Sequence, residues 1–83
     1  MPTIKLGSHS DAFTSVVHAL EAEVGLPASN GANYAWLGQL PPLLNEKNGT
    51  DIKFVGENYG FNFEYNSPKS AILLGQIKGK YHL

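Results

Sequence analysis

The chain has no cysteine and no arginine, and no apolar run in its 83 residues approaches the ~18 that a membrane-spanning helix needs. Without cysteine there is neither a disulfide framework nor a thiolate metal site, so packing alone must hold the fold. Without arginine, the planar fork that suits phosphate groups and base edges is missing. The six lysines are balanced by seven acids, for a net charge of −1, which argues against nucleic acid as a partner. No basic leader runs into a signal-like apolar core, so an unprocessed cytoplasmic protein is expected. In that setting Asn48-Gly49-Thr50 reads as a turn and not as a glycosylation site. Neither a repeat nor a linker divides residues 1–83, so the chain is one domain. A domain of this size buries only about 60 to 65% of its unfolded surface, and its core is modest.

What is present reads first as a strand, Thr3 to Leu6, closed by Gly7. From Asp11 to Val24, Phe13, Val16, Val17, Leu20 and Val24 fall at helical spacing and predict a helix with one buried stripe. Ser8 with Asp11 resembles a capping box, and Ser10 is the alternative cap. Gly25 sits where a left-handed helix exit is wanted, and Pro27 follows where helices stop. Asn30 or Asn33 then suits the cap of a second, shorter helix, Tyr34 to Leu40, with Trp36, Leu37 and Leu40 on one side. Pro41-Pro42 is expected to end it, because the residue before a proline is pushed out of the α region.

Beyond a polar turn from Asn45 to Thr50 the period changes to two. Ile52 to Val55 predicts a strand, and Tyr59 to Tyr65 a second one, joined by a hairpin turn at Val55-Gly56-Glu57-Asn58. Tyr59, Phe61, Phe63 and Tyr65 share a face, which serves either as the core side of the sheet or, if exposed, as a stacking platform. Residues 68 to 78 admit two readings: a helix capped at Ser67-Pro68 and ending at Gly79, or a buried strand from Ala71 to Ile77. Gly75 in mid-segment favours the strand. The expected fold is α+β: a three- or four-stranded mixed sheet with two helices, strand-helix-helix first and an antiparallel hairpin after it. An open sheet edge would let a second copy or a partner add a strand.

The run Leu20-Glu21-Ala22-Glu23-Val24-Gly25-Leu26-Pro27, then Gly31-Ala32-Asn33-Tyr34 and Leu37, resembles the first helix, loop and second helix of the barstar-like inhibitors of barnase-type ribonucleases. The similarity covers roughly residues 3 to 40. It implies parallel strands with helices packed on them, strand one lying beside Ile52 to Val55, and a function of plugging an enzyme with the second helix and the loop before it. On that reading Ser29, Asn30, Tyr34, Ala35 and Gln39 present the binding surface, while Gly31 and Asn33 shape the loop. The family's inhibitory acids fall at Ala35 and Gln39 and its loop aromatic at Ser29, so the electrostatic pairing of such inhibitors is missing. After Pro42 the sequence departs from the family.

No catalytic constellation emerges. His9, His18 and His82 lie in no metal-ligand spacing, and no glycine-rich phosphate loop leads into a helix. Neither a metal nor a cofactor is expected. The first functional expectation is a non-enzymatic protein-binding module, inhibitor or immunity-type, using Ser29, Asn30, Asn33, Tyr34 and Gln39, with Tyr34 as anchor and another protein, such as a ribonuclease, as partner. The rival is a small single-stranded nucleic-acid-binding domain using the aromatic row, or a toxin-like ribonuclease using His82 with Lys78 and Lys80.

Overall fold

The computed structural model describes residues 1–31 and 33–83. Ala32, part of the barstar-like run, lies outside the described residues, as does the side chain of the candidate cap Ser10. Among the described residues the chain forms a small α+β domain with a three-stranded antiparallel sheet and three α-helices. The order is β1 (Thr3–Leu6), a 3-10 turn (Ser10–Ala12), α1 (Phe13–Val24), α2 (Trp36–Asn48), β2 (Lys53–Glu57), β3 (Phe61–Glu64) and α3 (Pro68–Lys80).

β1 and α1 follow the sequence pattern. Val16, Val17 and Leu20 are buried, with Phe13 and Val24 at the rim of the same core. Gly25 takes the left-handed conformation, φ 101°, and its N–H returns to the Glu21 carbonyl. The proposed capping box does not form. Asp11 instead accepts from His9 Nδ1 at 2.6 Å, and the 3-10 turn leads into α1 at Ala12 without a side-chain cap.

The second helix corrects the expectation of a stop at Pro41-Pro42. α2 runs straight through both prolines to Asn48, so the supposed polar turn from Asn45 is helical as far as Asn48. The lost bonds would have run from positions 41 and 42 to the Leu37 and Gly38 carbonyls, and an interior proline costs ~3 kcal/mol or more. Against that stands a continuous buried stripe, Leu37, Leu40, Pro41 and Leu44, at spacings of three, one and three. Packing of that stripe in the core with α1 outweighs the local penalty, and Pro41 is itself buried.

The sheet order is β1-β3-β2, with both pairings antiparallel. The mixed sheet and the parallel partnership of strand one with Ile52 to Val55 are therefore not found. β3 takes the centre because Phe61 and Phe63, the bulkiest buried side chains, need neighbours on both sides. The hairpin turn lies at residues 58–60, further along than expected, with Glu57 opposite Phe61 and a bulge at Val55. Gly60 forces this placement: at φ 130° its Cα faces the Gly7 carbonyl so closely that a Cβ would sit 2.1 Å from that oxygen.

Residues 68 to 80 are helical, correcting the preference for a strand. Ser67 caps α3 by accepting from the Ser70 N–H, and Pro68 occupies the first turn, where its missing donor costs nothing. Ser70, Leu74 and Ile77 form the buried side. Gly75 has no atom within 4 Å of where its Cβ would lie, among the described residues, and the helix tolerates it at modest cost. The inner sheet face, Leu6, Phe61 and Phe63, joins α1, α2 and α3 in one core, while Thr3, Lys5, Lys53, Asn62 and Glu64 form the other face.

Candidate functional site

The loop from Gly25 and the start of α2 bring together most of the residues singled out in the sequence. α1 fixes the loop from below. Glu21 is nearly buried, at 5% exposure, and its Oε1 accepts from the Ser29 N–H at 3.4 Å and from Ser29 Oγ at 3.3 Å. His18 Nε2 lies 3.1 Å from the Ser29 carbonyl, and since a carbonyl only accepts, that nitrogen carries the proton. Serine, histidine and glutamate thus meet, but without the connectivity of a nucleophile. The imidazole faces the Ser29 backbone and not Oγ, so the hydroxyl is paired with the Glu21 carboxylate and no Ser–His pair forms. The cluster is a loop anchor.

Asn33 ends the loop. Its Oδ1 accepts from the Ala35 N–H at 2.8 Å, and Trp36 N–H donates to its carbonyl at 3.0 Å, opening a tight turn that feeds α2. Neither candidate cap caps α2, whose N-cap is Ala35 without a side-chain bond; Asn33 instead closes the turn just before it, and Asn30 is exposed. Tyr34 follows, 54% exposed yet not free to wander. Its ring stacks on Phe13 of α1, centroids 6.0 Å apart and 16° from parallel, and stands edge-on to Phe54 of β2 at 5.8 Å. Gln39 is exposed one turn into α2. Ser29 is the exception among the proposed contacts, half-buried and turned toward α1. The chain places no charged side chain between Glu23 and Glu46, so the loop and the start of α2 contribute no charge of their own, though Lys47 Nζ lies at the Glu23 carbonyl where the loop begins.

The aromatic row divides. Phe61 and Phe63 are buried and Tyr65 packs at the core rim, while Tyr59, in the hairpin turn at φ 52°, is exposed. Buried rings cannot stack on bases. The basic C-terminal segment is engaged as well. Lys78 Nζ donates to the Lys5 carbonyl at 2.7 Å, and Lys80 Nζ to Glu23 Oε2 at 3.2 Å, an oxygen that also accepts from Tyr81 O–H at 2.9 Å. The Glu23 carboxylate holds the Lys80 ammonium above its usual pKa, while burial first and then that hydrogen bond push the Tyr81 phenol up.

Two polar junctions carry weight that the sequence pattern did not disclose. Asn45, read as the start of a turn, is a hub: Oδ1 accepts from the Ile52 N–H and from Thr50 Oγ1, and Nδ2 donates to the Ile52 carbonyl, each at 2.8 Å. Asp51 accepts from the backbone N–H groups of Asn66 and Ser67 and from the hydroxyls of Ser67 and Ser70, at the N-terminus of α3. The Ser70 hydroxyl above all holds its carboxyl down to about 2. Both are internal fastenings. A groove of about 210 Å³ lined by Asn48, Thr50, Lys69, Ile72, Leu73 and Gln76 lies at the α2–α3 seam, smaller than the ~300 Å³ at which small-molecule sites begin. No helix among the described residues is long and apolar enough to cross a membrane.

Comparison of the chain with protein-family models, curated proteins and solved structures finds no match.

Proposed function

We propose that the protein is a non-enzymatic binding module that occludes another protein, in the manner of an inhibitor or immunity protein, through the loop before α2 and the start of that helix. The observation that carries this reading is Tyr34: an aromatic side chain half exposed and held in a fixed pose between Phe13 and Phe54. A pre-positioned tyrosine loses little freedom on binding and supplies a large contact with a polar tip, which is why such residues dominate interface energetics. The resemblance of residues 3 to 40 to barstar-like inhibitors agrees with the placement of this surface. The absence of charge on its own residues speaks for a partner that is not selected by opposite charge.

The test is capture at physiological salt with the intact chain, followed by titration of the recovered protein against wild type and Tyr34→Ala. A stoichiometric partner whose affinity falls by ~1 to 3 kcal/mol in the variant is expected. Recovery of no specific protein removes the reading, and an unchanged affinity removes Tyr34 as anchor. The nucleic-acid alternative keeps neither its stacking row, since Phe61 and Phe63 are buried, nor free lysines at Lys78 and Lys80. Salt-sensitive binding or cleavage of single-stranded RNA would restore it.

A further inference from the structure

We propose that Asn30-Gly31, in the exposed loop between α1 and α2, is a site of spontaneous deamidation, and that the fold protects the chain's second Asn-Gly pair, Asn48-Gly49, from the same reaction. The chemistry needs only the two residues and water. The Gly31 amide nitrogen gives up its proton and attacks Cγ of Asn30; the new C–N bond closes a succinimide ring, the Cγ–Nδ2 bond breaks, and Nδ2 leaves as ammonia with that proton. Water then opens the ring at either imide carbonyl. Breaking the bond to Cγ gives an aspartyl residue, and breaking the bond to the main-chain carbonyl gives an isoaspartyl residue, with the backbone rerouted through the side chain. Glycine in the second position favours the attack, since no Cβ hinders its nitrogen and its backbone turns freely toward Cγ.

Ring closure demands a side-chain amide that can swing onto the next nitrogen, and an N–H that is not held elsewhere. Position 30 meets both conditions. Asn30 and Gly31 are exposed, neither the Asn30 side chain nor the Gly31 N–H is hydrogen-bonded among the described residues, and no described atom lies within 4 Å of where a Gly31 Cβ would sit. An exposed loop of this kind opens at little cost and visits reactive geometries often. Asn48-Gly49 meets neither condition. Asn48 Nδ2 donates to the Leu44 carbonyl at 2.9 Å and the Gly49 N–H to the Asn45 carbonyl at 2.7 Å, so both reacting groups are tied into the left-handed exit of α2. Succinimide formation there has to undo that exit first. The other asparagines precede Tyr34, Glu46, Tyr59, Phe63 and Ser67, whose side chains hinder the attack, and the Ser67 N–H is held by Asp51 at 3.2 Å.

Either product changes the loop and leaves the core alone, since neither Asn30 nor Gly31 belongs to it. The loop contributes no charged side chain, and conversion places a carboxylate there, one negative charge added to a net charge of −1. The isoaspartyl form also inserts a carbon into the main chain between two fixed points: Ser29, fastened to Glu21, and Asn33, whose Oδ1 holds the Ala35 N–H. The stretch leading to Tyr34 is thereby both charged and lengthened. The conversion itself requires no partner.

Ageing the intact chain in mildly alkaline buffer at body temperature, followed by tryptic peptide mapping with mass spectrometry, tests this. Cleavage after Lys47 puts Asn30 and Asn48 on different peptides, and fragmentation separates Asn30 from Asn33 and Asn45. An unaged sample digested alongside corrects for conversion during digestion. Replacement of the amide NH2 by OH should accumulate at Asn30 several-fold faster than at Asn48, as aspartyl and isoaspartyl forms together, and should quicken as pH rises. Asn30→Gln should abolish it, because the longer side chain closes its larger ring far more slowly; circular dichroism checks that the variant and the aged chain are folded. In guanidinium chloride that unfolds the chain, the two Asn-Gly pairs should convert at similar rates. An Asn30 that stays intact in the native chain, a native Asn48 that converts as fast, or a gap that persists on unfolding overturns the proposal. None of these results touches the Tyr34 reading, which is tested by affinity for a different protein.

Discussion

The two interior helix exits of this domain begin alike and end differently. α1 stops at Gly25 and α2 at Gly49, both left-handed, and each glycine N–H returns to a carbonyl four residues back, that of Glu21 at 2.9 Å and of Asn45 at 2.7 Å. In each case the next residue bonds to the same carbonyl, and the side chain of that same helix residue reaches out to hold the following segment. There the likeness ends. Asn45 offers both a donor and an acceptor, and grips Ile52 and Thr50 through three bonds of 2.8 Å. Glu21 reaches Ser29 eight residues away through bonds of 3.3 and 3.4 Å. A two-sided amide fastens the buried Ile52 just before β2, while a carboxylate with two long contacts leaves an exposed loop. The α2 exit serves the fold; the α1 exit leaves its loop exposed.

Breaking the tight exit should have the largest effect. Asn45→Ala leaves the Ile52 N–H and carbonyl and the Thr50 hydroxyl without their partner, and should lower unfolding free energy by about 3 kcal/mol. Urea denaturation measures it. A loss below about 1 kcal/mol would mean that the hub contributes little, and the contrast between the exits would fall.

Ser70→Ala comes next, at about 2 kcal/mol, because the fully buried hydroxyl serves the Asp51 carboxylate and also accepts from the Asp51 N–H. It carries a pH signature. The Asp51 carboxyl lies at about 2 when folded against an ordinary 3.8, so its contribution is present above the ordinary value and is lost as pH falls from there through about 2. With the hydroxyl gone the folded value rises, and that stability above the ordinary value is diminished. The wild-type minus Ser70→Ala difference in melting temperature should therefore shrink on acidification through this window. A constant difference would mean that Ser70 acts by packing alone.

These two junctions also explain which parts of the fold were legible in the sequence. β1, α1 and the Gly25 exit were read correctly because local signals and the apolar period agreed there. At α2 the local signal of the prolines points to a stop at Leu40, whereas the buried stripe continues through Leu44, a case of packing overriding local preference. For α3 the sequence admits both helix and strand and leans to the strand, because the first residue of its buried side is Ser70, a polar group invisible to an apolar pattern, and because Gly75 disfavours a helix. The hairpin turn was misplaced because what fixes it is the approach of Gly60 to Gly7, more than fifty residues away in sequence. The candidate site was partly legible: Asn33 and Tyr34 came from loop chemistry, whereas the rings that hold Tyr34 come from α1 and β2, which no local window joins.

Loosening the slack exit should cost less. Glu21→Gln keeps an acceptor toward Ser29 in place of the carboxylate, and a change of about 1 kcal/mol or less is expected, read from the same urea curves. Hydrogen exchange of the Ser29 amide should quicken relative to that of Ile52. Equal protection of the two amides in wild type would erase the distinction between the exits.

The smallest effects have the opposite sign. Gly75→Ala should stabilise the domain by ~0.5 to 1 kcal/mol, since the added methyl meets open space and the unfolded chain loses freedom. Gly38→Ala meets equally open space, yet its carbonyl is the one that the Pro42 ring crowds in α2. If glycine is what lets that turn open around the proline, Gly38→Ala should gain less than Gly75→Ala in thermal unfolding. Equal gains would mean that the turn carries no strain at Gly38 and that packing against α1 alone keeps α2 continuous through its prolines.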